Sequence, residues 1–246
     1  MHVRHFIMIV TLLVFTFSSN LSASKFIELK VLDKDYLMLR FQDGIVEFVD
    51  DGLGPNAHRG HHSDMWNSKA VYFGDALDVV HAVDINNWNI QSSDDSDYGT
   101  SGIAPLAVYR KTKVNGMSLG PWGSNDWIFD YTKEHYLYLK LPHCLKDNKS
   151  YTVQIDTCLN TDSTYCSITF DIFNCPSEAI HSNLVGYPAS SRVKSADLYH
   201  FLGSGGNRNY SKFTDNEVYI YNVNTQESQP VGNVSFWMSG RKETQH

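Results

Sequence analysis

Short runs of alternating apolar and polar residues, rich in β-branched and aromatic types, recur along this chain and constrain its fold most. No stretch keeps the sustained 3.6-residue period of an amphipathic helix. Turn residues separate the runs, and the Asp43-Gly44 pair predicts a tight turn between the second and third strands. The pattern predicts an all-β protein with strands over 26–31, 36–41, 45–49, 107–109, 127–131, 136–141, 151–155 and 168–173.

Two features divide the rest of the chain. Residues 51–70 and 91–104 are rich in Gly, Ser, Asp and His and predict long loops, and 74–83 is the best helical candidate. The composition changes at 174–178, after which strands are predicted over 179–185, 196–201, 217–221 and 234–237. An immunoglobulin-type sandwich needs about seven strands. We therefore expect two tandem β-sandwich (immunoglobulin-like) modules, over 25–176 and 177–246, with the second truncated and the chain a fragment.

The first residues have the order of a secretory signal. Arg4 precedes the apolar run 6–17, and small residues follow at Ser22, Ala23 and Ser24. A membrane-spanning helix needs about 20 apolar residues, and this run is shorter. We predict a cleavable signal over 1–24, cut near Ala23 or Ser24, and a secreted, extracellular or periplasmic protein with no membrane contact after cleavage.

Four cysteines follow the predicted signal. An even number in an exported chain favours two disulfides, for which three pairings are possible. If 151–157 and 167–173 are the arms of a hairpin, Cys158 and Cys166 lie at its tip, and Cys144 and Cys175 lie together at its other end. We predict the bonds Cys158–Cys166 and Cys144–Cys175; free buried thiols are the alternative.

The charge balance excludes one class of partner. The formal net charge is −7, whereas binding to nucleic acid depends on clustered Lys and Arg that neutralise phosphates. The longest basic cluster, at Arg110, Lys111 and Lys113, is too small to reverse this balance. We expect no nucleic-acid partner.

The segment Ile180-His-Ser-Asn-Leu-Val-Gly-Tyr-Pro188 resembles the opening strand of the cellulase N-terminal Ig-like domain. In that domain an Ile-x-x-Asn-Gln-Val-Gly-Tyr pattern begins a sandwich that precedes the catalytic barrel of glycoside hydrolase family nine. The strings Val31-Leu-Asp-Lys-Asp-Tyr-Leu37 and Tyr138-Leu-Lys-Leu-Pro-His143 resemble an N-terminal β module found ahead of such domains. The matching positions of the first pattern are Ile180, Asn183, Val185, Gly186 and Tyr187.

Three groups of residues are candidates for chemistry. The acids Asp94, Asp95 and Asp97 are typical of a solvated turn, with calcium binding as the lesser alternative. Imidazoles at His-x-x-His-His spacing, with Asp64 beside them, would suit zinc or copper, although loops also tolerate exposed His. Exposed Trp rings would stack on sugars, although Trp is also a common core residue. The His and Trp candidates are His58, His61 and His62, and Trp122 and Trp127.

The resemblance implies a non-catalytic accessory region of a secreted, cellulase-type hydrolase. Its partner would be a downstream glycoside hydrolase catalytic domain, with polysaccharide as a further partner, and no cofactor is expected. The family's catalytic acids belong to the helical barrel, so we expect no catalytic residues in this chain. Two alternatives remain: a carbohydrate-binding module that uses Trp122 and Trp127, and a metal-dependent enzyme built on His58, His61 and His62.

Overall fold

The computed structural model describes residues 23–48, 68–119, 129–183, 185–188 and 190–236. It confirms the all-β prediction, since the elements described are strands and single 3₁₀ turns. In chain order the strands are β1 (Lys25–Asp33), β2 (Tyr36–Gln42), β3 (Gly44–Phe48), β4 (Ser68–Tyr72), β5 (Trp88–Gln91), β6 (Ala107–Leu119), β7 (Phe129–Lys140), β8 (Lys149–Ile155), β9 (Tyr165–Phe170), β10 (Ile180–Ser182), β11 (Ala196–Leu198), β12 (Glu217–Asn222) and β13 (Glu227–Asn233).

Two antiparallel sheets enclose the larger core. The first sheet has the order β1-β2-β7-β6, and the second has the order β5-β8-β9. Alternate residues of each strand point to the same face, so one side chain in two enters the core. The first sheet contributes Leu37, Leu39, Phe41, Leu137 and Leu139, and the second contributes Trp88, Ile90, Tyr151, Val153 and Ile155.

The first sheet is apolar on its other face as well. Leu32, Tyr36, Met38, Tyr136 and Tyr138 alternate with the residues of the larger core and form a second cluster, which also contains Ala179 and Leu202. We call this side the outer face. Because Ala179 and Leu202 lie beyond the predicted boundary at 176, residues of the second predicted module complete a core that begins in the first.

The Asp43-Gly44 prediction is corrected by the strand pairing. β2 lies between β1 and β7, whereas β3 pairs with β4. Asp43 and Gly44 therefore lead the chain from one sheet to another and do not close a hairpin. The Asp43 amide donates to the Lys133 carbonyl (3.0 Å) and its side chain is buried, which explains the departure from a simple turn.

Other boundaries also move. Residues 129–131 and 136–140 of two predicted strands belong to the continuous β7, whereas 127 and 128 lie outside the described residues. The predicted helix 74–83 contains only a 3₁₀ turn at His81–Val83. The strand predicted over 168–173 ends at Phe170, because Asp171 accepts hydrogen bonds from the amides of Phe173 and Asn174 and makes a turn. The strand predicted over 234–237 is wrong in position: the strand at this end of the chain is β13, and residues 234–236 lie outside any strand.

The predicted signal lies outside the described residues except for Ala23 and Ser24. Both are buried. The Ser24 hydroxyl donates to Asp43 (2.7 Å), and its amide donates to the Asn160 carbonyl (3.1 Å). Ser24 is therefore part of the packed structure, although the prediction assigned it to the signal.

Candidate docking surface

One face of β12 is partly covered by Phe173, although Tyr219 on that face is still 44% exposed, and the other face is open. On β12, the rings of Tyr219 and Tyr221 contact Phe173, with centroid distances of 6.2 and 4.6 Å. Val218 and Ile220 alternate with these tyrosines, so they point to the opposite side of the strand. The Ile220 side chain is 59% exposed. The open face therefore presents aliphatic side chains to solvent.

The motif that carries the family resemblance forms β10 and the turn after it. Ile180 is exposed and pairs with Leu198 of β11. The Asn183 side chain accepts from the Val185 amide (3.0 Å), and Gly186 has φ +84°, a conformation that glycine adopts readily. These features turn the chain so that β11 can pair with β10.

The Tyr187 hydroxyl holds the far side of this turn, donating to the Ser195 carbonyl (2.5 Å). Val185 lies at the tip and is 95% exposed. We call Val185 and five other exposed apolar side chains of residues 180–236 the exposed apolar set: Ile180, Val185, Val218, Ile220, Val231 and Phe236.

The predicted His and Trp sites cannot be placed. His58, His61 and His62 lie between β3 and β4, and Trp122 and Trp127 lie between β6 and β7, in both cases outside the described residues. Within the described ranges, no group of three or more His, Cys, Asp or Glu side chains has an arrangement suited to a metal ion. The metal and sugar-binding interpretations stay predictions.

The acidic turn is only partly solvated. Asp94 and Asp97 are exposed, as predicted, but Asp95 is buried. Its carboxylate accepts from Lys146 (2.7 Å) and from the Tyr151 hydroxyl (2.8 Å). Burial raises the pKa of Asp95, but these donors outweigh it and the pKa is lowered. Asp95 therefore anchors the loop to β8.

The four cysteines are free thiols in this structure, and neither predicted disulfide is formed. Cys166 is not at a hairpin tip, since it lies inside β9 opposite Val153 and its side chain is buried in the larger core. Cys158 lies in the 3₁₀ turn after β8. The thiol of Cys144 donates to Asp35 (2.9 Å).

One buried polar network was missed at the sequence level. Asp43 accepts from Ser24 (2.7 Å) and from the Leu77 amide (3.1 Å), and its second oxygen lies 2.9 Å from Nε2 of His135. The other ring nitrogen of His135 lies 3.0 Å from the Thr112 hydroxyl, its cross-strand neighbour. Because the partners of Asp43 come from separate parts of the chain, the network ties the first sheet to the segments before β1 and after β4, and no local pattern signals it.

Comparison with known proteins identifies no relative: no family model, curated protein or solved structure matches this chain. Within the described residues, no helix is long and apolar enough to span a bilayer. The candidate site with the clearest structural basis is therefore the exposed apolar set.

Proposed function

We propose that this chain is a non-catalytic accessory region of an exported, cellulase-type glycoside hydrolase, and that it docks on and positions the catalytic domain. The observation that carries the proposal is the open face of β12, where Val218 and Ile220 of the exposed apolar set point to solvent. Aliphatic side chains that stay in water forgo about 25 cal/mol for each Å² of apolar surface. Val218 and Ile220 are neighbours on one face of the same strand, and adjacent exposed apolar side chains are typical of interaction surfaces.

The resemblance of residues 180–188 to the cellulase N-terminal Ig-like domain supports a hydrolase catalytic domain as the partner. The positions shared with the cellulase N-terminal Ig-like domain lie on β10 and its turn, where Ile180 and Val185 are exposed. In the family that strand belongs to a domain placed ahead of a catalytic barrel. The proposed partner is therefore a glycoside hydrolase catalytic domain, and the proposed process is polysaccharide degradation outside the cell.

The buried carboxylates of the described residues have structural partners. Asp43 is bound by Ser24 and His135, and Asp95 by Lys146 and Tyr151. Glycoside hydrolysis instead needs two carboxyl groups about 5–9.5 Å apart on either side of a sugar bond. Because the oxygens of Asp43 and Asp95 are already bound by neighbouring side chains, these contacts favour a positioning role for the chain over a catalytic one.

The docking proposal is tested by mixing the purified chain with a family-nine catalytic barrel that lacks its own Ig-like domain. We expect association, measured by analytical ultracentrifugation, and a rise in the melting temperature of the barrel. Val218→Ser together with Ile220→Ser should weaken association at least about tenfold, since each removes buried apolar area. Val80→Ser is the matched control, because Val80 is 74% exposed and lies between β4 and β5, away from the hairpin.

Two results would overturn the proposal. One is association that the double variant leaves unchanged. The other is release of reducing sugar from β-glucans by the purified chain alone, abolished by one Asp or Glu substitution. Retention on a glycan column that is lost in Trp122→Ala would instead favour the carbohydrate-binding alternative.

A further inference from the structure

We propose that residues 196–213 form a strap, a segment of this chain that docks on the outer face of the first sheet and fixes the direction in which the β12–β13 hairpin leaves it. The proposal goes beyond the accessory function, because it concerns the coupling of two parts of one chain and needs no partner. Three contacts carry it: an apolar one, one at a sheet edge and one between charges.

The apolar contact lies at the middle of the outer face. Leu202 is buried in the cluster that contains Tyr138. The ring of His200 meets the ring of Tyr138 edge to face, with 5.1 Å between centroids. Burial lowers the pKa of His200, which favours its neutral form there. The strap thus excludes water from this part of the outer face.

The second contact closes the edge of the sheet at β6. The Arg110 amide donates to the Ser204 hydroxyl (3.0 Å). A Cβ atom on Gly203 would lie 2.2 Å from the Arg110 carbonyl oxygen, and one on Gly205 would lie 2.5 Å from the Tyr109 ring. Because only glycine lets the backbone approach this closely, the sequence of the strap is adapted to this edge.

The third contact is the arginine of the strap. Arg208 donates from Nε to Asp33 (3.0 Å) and from Nη2 to Asp35 (2.7 Å), and its side chain is only 10% exposed. Its guanidinium also lies over the rings of Tyr36 and Tyr210, 4.6 and 5.2 Å from their centroids. A planar guanidinium serves both roles at once, which a lysine cannot do.

Asp35 is the centre of this third contact. Besides Arg208 it pairs with Lys212 and accepts from the Cys144 thiol. Burial raises the pKa of Asp35, but the bonds from Cys144 and Lys212 and the nearby positive charges outweigh it and lower the pKa. The carboxylate is therefore ionised at neutral pH, and the contact is closed under ordinary conditions.

The consequence is pre-organisation. A strap held at three points leaves the β12–β13 hairpin little freedom in how it departs from the first sheet. A partner that docks on this hairpin then has less conformational freedom to remove, which lowers the entropic cost of association.

Amide hydrogen exchange of the full, unaltered chain gives the first test. We expect the amides of Tyr199, Leu202 and Arg208, which bond within the strap or to Ala179, to exchange within about tenfold of the β7 amides. The β12–β13 amides should exchange at least about a hundredfold faster than the β7 amides. Strap amides that exchange as fast as β12–β13 would overturn the proposal.

The second test compares Arg208→Ala with Arg192→Ala, since Arg192 is an exposed arginine in the same region. Arg208→Ala should raise exchange of the strap amides and of the Arg110 amide at least about tenfold. Arg192→Ala should change neither. Arg208→Lys should give an intermediate rise in exchange, because lysine keeps the positive charge but loses the two-pronged guanidinium that bonds Asp33 and Asp35 together. If Arg208→Ala also removes the protection of amides in both sheets, the strap is supported as part of the folded structure. Unchanged exchange of the strap amides in Arg208→Ala would contradict the proposal.

Discussion

The region from Ala23 to Cys175 and the C-terminal hairpins use similar residue types, but they differ in what covers those residues. In the first region a strand such as β2 is apolar on both faces and both faces are covered. In the second, β12 has one face on Phe173 and the other in water. An apolar run alone therefore does not define a finished core, because β2 and β12 both contain one and only β2 is covered on both faces.

The largest expected difference between the two regions concerns buried charge. Asp43→Ala leaves the donors of Ser24 and the Leu77 amide without their acceptor and Nε2 of His135 without its partner. Breaking a buried pair in this way should lower the free energy of unfolding by about 3–5 kcal/mol. Urea unfolding measures the loss. Asp197→Ala, on exposed β11, should stay within about 0.5 kcal/mol. A loss below about 1 kcal/mol at Asp43 would contradict the contrast.

The same carboxylate predicts a pH dependence. Burial raises the pKa of Asp43, but hydrogen bonds from His135, Ser24 and the Leu77 amide outweigh it and bring the pKa below its ordinary 3.8. A lowered native pKa gives stability that is present above the ordinary value and is lost as pH falls through the lowered one. The stability difference between wild type and Asp43→Asn should therefore be largest near neutral pH and shrink in acid. A stability difference between the two proteins that stays the same at every pH would contradict this prediction.

Truncation of apolar side chains should give the next largest difference in stability between the two regions. Leu139 is fully buried, whereas Ile220 is mostly exposed. Leu139→Ala should cost about 2–5 kcal/mol of unfolding free energy because it leaves a cavity. Ile220→Ala should change it by no more than about 0.5 kcal/mol. Chemical denaturation of both variants measures the pair. Equal losses would mean that the hairpin face is covered in solution.

The smallest expected effect concerns the thiols, all of which lie in the first region. Unfolded protein treated with iodoacetamide without reductant should carry four adducts by mass spectrometry, as the free thiols require. In the native protein Cys166 should react slowly, because burial raises its pKa to about 12. Two disulfides, as the sequence predicts, would leave no adduct at all.

Local patterns predicted the strands that are continuously apolar or that alternate simply. Residues 36–41 and 151–155 agree with β2 and β8 to within two residues. The middle of β7 was missed because its polar residues looked like a break. Glu134 pairs with Arg40 (3.5 Å), and Thr132 is buried. A strand is missed by local sequence patterns when its polar residues are stabilised by partners that are distant in the sequence.

The contacts that organise the site could not be predicted in the same way. Arg208 meets Asp33 across 175 residues, and His135 meets Asp43 across 92. One signal was present: the runs at 36–39 and 137–139 are continuously apolar, which is typical of strands buried on both faces. Those runs predict a second covering layer, although they do not say which segment supplies it.

The loop at Gly203–Gly205 has a consequence for self-association. β6 is the outermost strand of its sheet, and an open edge is a template on which another chain can add a strand. Ser204 already accepts the Arg110 amide, and the two glycines bring the loop backbone against the edge. The loop therefore occupies the edge of β6 at Arg110, and another chain could not add a strand at that point.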